Sequence, residues 1–123
     1  MKRFLSLALL ALTVAACGDD GTGPDGEGGS EFDITISGGT KPTYTWPGGP
    51  AFSVSVVRVS APGTIVWGMA TPAMTIPSPV THGNVSGGGL VTASTETTLT
   101  AGVNYRVAIT RADQKTGFKS FTP

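Results

Sequence analysis

Glycine and proline divide this chain into short segments, and this division constrains the fold more than any other feature. The 123 residues include 18 Gly and 9 Pro. Glycine weakens helices and strands through its conformational freedom, and proline lacks the N–H donor that both need. After residue 30 no segment carries a helical apolar stripe of useful length. The chain is therefore expected to build its core from short strands.

Within the segments, apolar residues alternate with polar ones, which is the period of a strand with one buried face. The segment Val103–Arg111 is the clearest, because its apolar residues recur at every second position. The pair Val56-Val57 breaks the alternation of its segment and predicts a β-bulge. The remaining predicted strands are residues 31–37, 42–46, 51–59, 64–70, 80–85, 90–92, 97–99 and 116–122.

The alternation also predicts which large side chains enter the core. The predicted inward faces are Phe52, Val54 and Val56 in one strand and Ile65, Trp67 and Met69 in the next. For Trp67 the alternative is an exposed position, in which the indole would stack on a sugar ring.

These runs, of which 90–92 and 97–99 are short, amount to seven or eight strands in residues 31–123, separated by turns, and predict an all-β fold. The expected architecture is a single antiparallel β-sandwich of about seven strands. A domain of this size buries enough surface to fold alone. The single Cys excludes an internal disulfide.

The first 16 residues differ from the rest and predict a targeting signal. Lys2 and Arg3 give a positive start, and Phe4–Ala16 is an almost wholly apolar run of 13 residues. A membrane-spanning helix needs about 20 apolar residues, so this run is too short to remain as one. Its length fits the apolar centre of a secretory signal peptide, which removes residues 1–16 from the folded domain.

The run ends in Val14-Ala15-Ala16-Cys17, which resembles the lipobox of bacterial lipoproteins. The resemblance implies cleavage before Cys17, with a diacylglycerol on its sulfur and an acyl chain on its new amine. It also implies a location in the bacterial cell envelope, with the membrane as a partner through the lipid anchor. Because Gly18 rather than an acid follows Cys17, the resemblance favours the outer membrane. The alternatives are an ordinary signal peptide with a chance Cys, or a buried core Cys.

Residues 17–30 are predicted to connect this anchor to the domain. Residues 18–30 hold six Gly and the acids Asp19, Asp20, Asp25 and Glu27, with no apolar surface to bury, so a disordered tether is expected. A Gly-rich coil of this length spans about 20 Å root-mean-square. The acids do not follow the alternating spacing of a calcium-binding loop, so no metal site is predicted.

Charge and composition exclude several classes of partner. Eight Lys and Arg balance eight Asp and Glu, which leaves no basic field for nucleic acid. One Cys and one His are too few for a zinc ribbon, an iron–sulfur cluster or a multi-histidine centre within a single chain. No cofactor is predicted.

The segment Leu99-Thr100-Ala101-Gly102-Val103-Asn104-Tyr105 resembles the tyrosine corner of fibronectin type III domains, usually Leu-x-Pro-Gly-x-x-Tyr. Ala101 stands where that motif has Pro. The resemblance implies structural roles for Leu99, Gly102 and Tyr105, with the Tyr105 hydroxyl bonded to backbone upstream. Trp46 stands where these domains carry a core Trp on their second strand. A fibronectin type III-like or, more broadly, immunoglobulin-like sandwich is implied.

Candidate catalytic groups are few. His82 would need a nucleophile and an orienting acid, and no G-x-S-x-G elbow accompanies it. The alternative is an imidazole at a loop or strand edge that is bonded to backbone. Residues 31–123 hold four carboxylates, and Glu31 and Asp33 stand at the N-terminal edge, so a glycosidase pair is not expected. No catalytic residue and no enzyme activity are predicted.

Two further features bear on binding. The first is a set of three arginines on or beside strands: Arg58, Arg106 and Arg111. They would either form a basic stripe for an anionic glycan, or remain solvated and block aggregation at the sheet edge. Gly87-Gly88-Gly89 lacks the Lys-Ser/Thr and the helix of a phosphate loop. It predicts a loop at one end of the sandwich, where such domains place binding residues.

The first functional hypothesis is a membrane-anchored, non-catalytic binding or adhesion module of the cell envelope that recognises a protein or a glycan. The second is a structural accessory subunit of an envelope complex. A third is a small hydrolase, against which the lack of a catalytic set counts. The sequence predicts neither the ligand nor the oligomeric state.

Overall fold

The computed structural model describes residues 29–123, so the predicted signal peptide 1–16, Cys17 and most of the predicted tether lie outside the described residues. The described chain consists of two antiparallel sheets that pack against each other. The predicted all-β sandwich is therefore confirmed, with eight strands. They are β1 Thr35–Ile36, β2 Thr43–Thr45, β3 Ala51–Arg58, β4 Ala61–Ala70, β5 Val80–Thr81, β6 Leu90–Ser94, β7 Tyr105–Arg111 and β8 Thr116–Phe121.

The strands form a small and a large sheet. The three-stranded sheet has the order β1-β2-β5, and the five-stranded sheet has the order β6-β4-β3-β7-β8. The core lies between them, where the ring of Tyr44 on β2 meets the ring of Phe121 on β8 edge-on at a centroid distance of 5.8 Å. Trp67 is 1% exposed and so occupies the core, as predicted. Along β7, Tyr105 and every second residue after it are buried, as the alternation predicts.

The predicted bulge at Val56-Val57 is confirmed, and it turns a neighbouring side chain outward. Val56 pairs with Trp67 and Val57 pairs with Ile65, so Val66 is the extra residue on β4. Because one extra residue reverses the faces of a strand, Ile65 points to the outer side of the sheet. It is 41% exposed, and its predicted place beside Trp67 in the core is wrong.

A second bulge, at the start of β3, was not predicted. Ala51 pairs with Arg111 and Ser53 pairs with Thr110, which leaves Phe52 as the extra residue. Ala51 takes the buried position, and Phe52 is 39% exposed. The predicted core position of Phe52 is therefore also wrong.

Three other predicted strands are shorter than expected or absent. The run 31–37 is a strand only over Thr35–Ile36. The run 80–85 ends as a strand at Thr81, because the N–H of Asn84 donates to the Thr81 carbonyl and closes a turn. Residues 97–99 form no strand. There the N–H of Leu99 donates to the carbonyl of Thr40 at 2.8 Å, which ties the segment to the β1–β2 loop instead of to a ladder.

The first described residues join the domain at one end of the five-stranded sheet. There β3, β6 and β8 begin, and Ala70 at the end of β4 pairs with both Ser53 and Leu90. The Glu31 N–H donates to the Thr116 carbonyl at 2.9 Å, and the Thr116 N–H donates to the Glu31 carboxylate at 2.8 Å. We call this the proximal end, and the opposite end, where β3 stops and β7 starts, the distal end.

Candidate functional site

A polar network crosses the interior of the sandwich and contains the only histidine of the chain. Its members come from both sheets and from the two segments that follow β5 and β6. They are Tyr44, Arg58, His82, Glu96 and Tyr105.

His82 is fully buried, and both of its ring nitrogens are occupied. Its Nε2 lies 2.7 Å from the Glu96 carbonyl oxygen. Because a carbonyl oxygen only accepts hydrogen bonds, Nε2 carries the hydrogen. Its Nδ1 is then the acceptor for the Tyr44 hydroxyl, at 2.9 Å. The imidazole is therefore held as one neutral tautomer.

Burial sets the protonation of this pair. It lowers the pKa of His82 below its ordinary value of 6.5 and raises the pKa of Tyr44. The indole of Trp67 covers the imidazole at a centroid distance of 4.6 Å. With its lone pair bonded to Tyr44 and its ring out of contact with solvent, His82 is not placed to take a proton from an external substrate.

Glu96 joins the network to the distal end of β3 and β7. Its carboxylate accepts two hydrogen bonds from the Arg58 guanidinium, one of them from Nε at 3.0 Å. It also accepts the hydroxyl hydrogen of Tyr105 at 3.2 Å. The Arg58 hydrogen bond holds the pKa of Glu96 below its usual range. The sequence analysis did not single out Glu96. The available signal was its isolation, because it is the only acid between Asp33 and Asp113.

The residues of the predicted corner lie together at the distal end. Tyr105 and Leu99 are buried. The Tyr105 hydroxyl accepts a hydrogen bond from the backbone N–H of Thr100 at 2.9 Å. Gly102 has a φ of +81°, a conformation that side chains disfavour. The hydroxyl thus accepts from Thr100 and donates to Glu96, which couples the loop before β7 to the interior network.

Trp46 is buried at the proximal end, beside an open groove. Its indole N–H donates to the Gly49 carbonyl at 2.9 Å, and its backbone N–H donates to the Ser78 hydroxyl at 2.9 Å. The groove has a volume of about 480 Å³. It is lined by Thr45, Trp46, Gly49, Pro50, Pro77 and Ser78. Proline surfaces flanked by hydroxyl groups, with the buried Trp46 behind them, make this the candidate binding site.

Arg58, Arg106 and Arg111 do not form a basic stripe for an anionic glycan, which was one of the two predicted alternatives. Arg58 pairs with Glu96 at the distal end, whereas Arg111 lies at the proximal end of β7. The guanidinium of Arg106 lies 5.3 Å from the centroid of the Phe118 ring. Each of the three side chains is held by contacts within the domain.

The other alternative was that the arginines are solvated. Arg111 does not fit it either, because it is only 8% exposed. It pairs with Asp113 at 2.6 Å, and it donates to the Pro47 carbonyl at 2.8 Å. Its guanidinium lies 4.5 Å from the centroid of the Phe32 ring. It therefore fixes the loop between β2 and β3, which forms one wall of the groove.

Exposed apolar side chains concentrate at the proximal end. Among residues 29–123 six large apolar side chains are exposed, and five belong to the starts of β3 and β6 or to the loops before and after β5. Ile65 is the sixth and lies toward the distal end. The five, which we call the proximal apolar cluster, are Phe52, Met74, Val85, Leu90 and Val91.

Hydrogen bonds connect several of the segments that carry these residues. The N–H of Thr71 donates to the Phe52 carbonyl at 2.9 Å, and the N–H of Met74 donates to the Thr71 carbonyl at 3.1 Å. The Thr75 hydroxyl donates to the carbonyl of Gly87, in the Gly87-Gly88-Gly89 loop that runs into β6. This loop is thus packed against the β4–β5 loop at the proximal end.

The positions of charged residues in the sequence indicate this cluster, whereas the strand pattern does not. Residues 59–95, between Arg58 and Glu96, contain no Asp, Glu, Lys or Arg over 37 positions. All of the cluster except Phe52 lies within that stretch.

Over residues 29–123 no group of three or more His, Cys, Asp or Glu residues is arranged to hold a metal ion. No helix in the same range has the length and apolarity to cross a membrane. No protein-family model, curated protein or solved structure matches the chain.

Proposed function

We propose that this protein is a cell-envelope lipoprotein, anchored through Cys17, whose sandwich is a non-catalytic binding module for a protein or a glycan. The outer membrane is the favoured location. The observation that carries the binding role is the groove beside Trp46. It combines a concave surface with proline walls, the buried Trp46 behind them and the hydroxyl groups of Thr45 and Ser78, which is the composition of a recognition site.

The state of the polar side chains supports a non-catalytic role. The Nδ1 of His82 accepts a hydrogen bond from the Tyr44 hydroxyl. The carboxylates of Glu96 and Asp113 are paired with Arg58 and Arg111. These groups stabilise the fold and are not presented to the groove.

The strand order supports an immunoglobulin-like domain. In seven-stranded domains of this kind the first, second, fourth and fifth strands share one sheet, and the third strand shares the other with the last two. Here β1-β2-β5 and β3-β7-β8 follow that arrangement, and β4 departs from it. β4 lies beside β3 in the place of the additional strand of variable-type domains, and β6 extends the same edge.

The anchor is tested by the mass of the mature chain. Expression of the whole chain in a bacterial host should yield a protein that begins at Cys17 and carries the mass of a diacylglycerol and an acyl chain. The Cys17→Ser variant should remain uncleaved and without lipid mass. A mature wild-type protein that starts elsewhere or lacks lipid would disprove the anchor.

The groove is tested by titration of the isotope-labelled lipoprotein, in detergent, with soluble cell-wall glycan fragments and, separately, with envelope protein extracts. Binding should shift the amide signals of Thr45, Gly49 and Ser78 and leave those of Thr98, at the far side of the domain, in place. Thr45→Val should weaken the shifts, and Thr98→Val is the matched control. Unchanged groove signals in both titrations would reject this site.

A further inference from the structure

The proximal apolar cluster lies at the end of the domain where the chain comes from the proposed anchor. Residues 30 and 31 are fastened to β8 there: the Phe118 N–H donates to the Ser30 hydroxyl at 3.0 Å, and Glu31 exchanges two hydrogen bonds with Thr116. β3 and β6, which carry Phe52 and Leu90, begin at this same end. The point of attachment and the exposed apolar side chains are therefore at the same end of the sheet, with β8 at one edge and β6 at the other.

The length of chain before this point limits how far the domain can stand from a membrane. In the proposed lipoprotein, residues 18–30 separate the lipidated Cys17 from Glu31. Even when fully extended, 13 residues reach at most about 45 Å, so the residues fastened to β8 stay within that distance of the lipid. The proximal end is thus the part of the sandwich that meets the lipid surface most often.

The chemistry of the cluster suits that surface. Phe, Met, Val and Leu side chains gain by entering the boundary between headgroups and acyl chains, and charged neighbours oppose such entry. Met74 and Leu90 are 40% and 68% exposed, and they lie within the stretch 59–95 that has no Asp, Glu, Lys or Arg. No charged group of that stretch has to be desolvated, and the charged residues Glu31, Asp113 and Lys115 of the proximal end lie beside β8, at the other edge of the sheet.

We propose that the proximal apolar cluster docks the sandwich on the surface of the membrane that holds the lipid anchor. This inference rests on the proposed anchor and adds a second, protein-borne contact, which fixes the orientation of the domain. The groove beside Trp46 then opens close to the headgroups.

A second copy of this chain is the competing occupant. β6 is an edge strand with Leu90 and Val91 exposed, and edge strands can pair between molecules. However, its ladder with β4 is interrupted between Gly68 and Met69, and a bulged edge is a poor template for continued pairing. The docking on lipid is therefore the assignment that the structure favours.

The test compares two positions of nearly equal exposure at opposite ends. Met74→Cys and Ile65→Cys replace side chains that are 40% and 41% exposed. In the lipidated protein Cys17 is blocked, so a thiol-reactive fluorophore labels only the new residue. Each labelled lipoprotein is reconstituted in phosphatidylethanolamine–phosphatidylglycerol vesicles that contain a lipid with a spin label high on its acyl chain.

The label at position 74 should be quenched severalfold more strongly than the label at position 65. Replacing Phe52 and Leu90 by Ser in the Met74→Cys protein should remove most of that difference while the far-ultraviolet circular dichroism stays unchanged. Equal quenching at both positions would overturn the docking and leave the anchor intact.

Two other outcomes are distinguishable. A mature chain without lipid mass on Cys17 overturns the proposed anchor and this inference with it. A blue shift of the label at position 74 that occurs in detergent without lipid, and that grows with protein concentration, assigns the cluster to a second copy and overturns the membrane assignment.

Discussion

At the residue scale, the interior of this domain is organised around one neutral histidine. His82 donates to a carbonyl and accepts from a hydroxyl, so every ring nitrogen has a partner. The same holds throughout residues 29–123, where no buried side-chain nitrogen or oxygen lacks a hydrogen bond. Burying polar groups is tolerated only under that condition, because an unpaired buried donor or acceptor costs about 1–3 kcal/mol.

The histidine makes stability depend on pH. Because burial lowers the pKa of His82 below 6.5, the unfolded chain takes up a proton before the folded chain does. The free energy of unfolding is therefore expected to fall as the pH falls below about 6.5, by about 1.4 kcal/mol for each unit by which the pKa is lowered. Urea titrations between pH 8 and pH 5 measure this.

His82→Gln is the control for that slope, since an amide can still donate to the Glu96 carbonyl but does not titrate. The variant should be less stable at pH 8 and should lack the decline between pH 7 and pH 5. A wild-type slope in the variant would assign the decline to other groups. The loss from Glu96, whose pKa lies below its ordinary 4.5, begins only at lower pH.

The Tyr105 hydroxyl gives a second prediction at this scale. Tyr105→Phe removes the acceptor of the Thr100 N–H and one donor to Glu96. The free energy of unfolding should fall by about 1–2 kcal/mol, measured by urea denaturation at pH 7. Phe121→Leu alters an aromatic neighbour of the same ring without touching the hydroxyl, so it serves as a packing control. An unchanged midpoint for Tyr105→Phe would contradict a structural role for the hydroxyl.

At the scale of elements, two bulges decide which side chains face out. The sequence predicts strands from alternation, and for β7 this is enough because no residue interrupts the period. For β3 and β4 the insertions at Phe52 and Val66 reverse the faces of Phe52 and Ile65. The sequence marks the second of these insertions at Val56-Val57, where two adjacent apolar residues break the alternation.

The candidate site was harder to predict than the strands. The groove joins Thr45 and Trp46 to Pro77 and Ser78, more than 30 positions away in the chain. Single residues such as Trp46, Tyr105 and Trp67 were recognisable as structural from local patterns. Contacts between distant loops carry no local pattern, and so the groove appears only once the strands are paired.

The loop between β2 and β3 offers a matched pair of glycines. Gly48 and Gly49 have φ angles of +90° and +106°. A Cβ at Gly48 would overlap the Arg111 guanidinium, whereas a Cβ at Gly49 would meet nothing within 4 Å. Gly49→Ala should cost only the backbone strain, about 1–2 kcal/mol. Gly48→Ala should cost more, because it also displaces Arg111 from Asp113 and Pro47.

Thermal denaturation of the two variants beside the wild type measures the difference. Equal melting temperatures for Gly48→Ala and Gly49→Ala would mean that Arg111 does not pack against this loop.

At the scale of the whole molecule, the shared core and the polar network predict that the two sheets unfold as one cooperative unit. Trp46 follows β2 of the small sheet, and Trp67 lies on β4 of the large sheet. In the single-tryptophan variants Trp46→Phe and Trp67→Phe, the remaining indole reports on one sheet. Urea unfolding followed by fluorescence and by circular dichroism should give the same midpoint within each variant. Separate midpoints would show that one sheet unfolds before the other.

The attachment of residues 30 and 31 to β8 has a mechanical consequence. When the domain is held by a bound ligand and pulled through its first residues, the load enters at the Ser30 and Glu31 hydrogen bonds to Phe118 and Thr116. It passes first into β8, the edge of the five-stranded sheet, whose ladder with β7 runs through six residue pairs. The small sheet, with strands of only two or three residues, is thus shielded from the first part of any force that the proposed anchor would transmit.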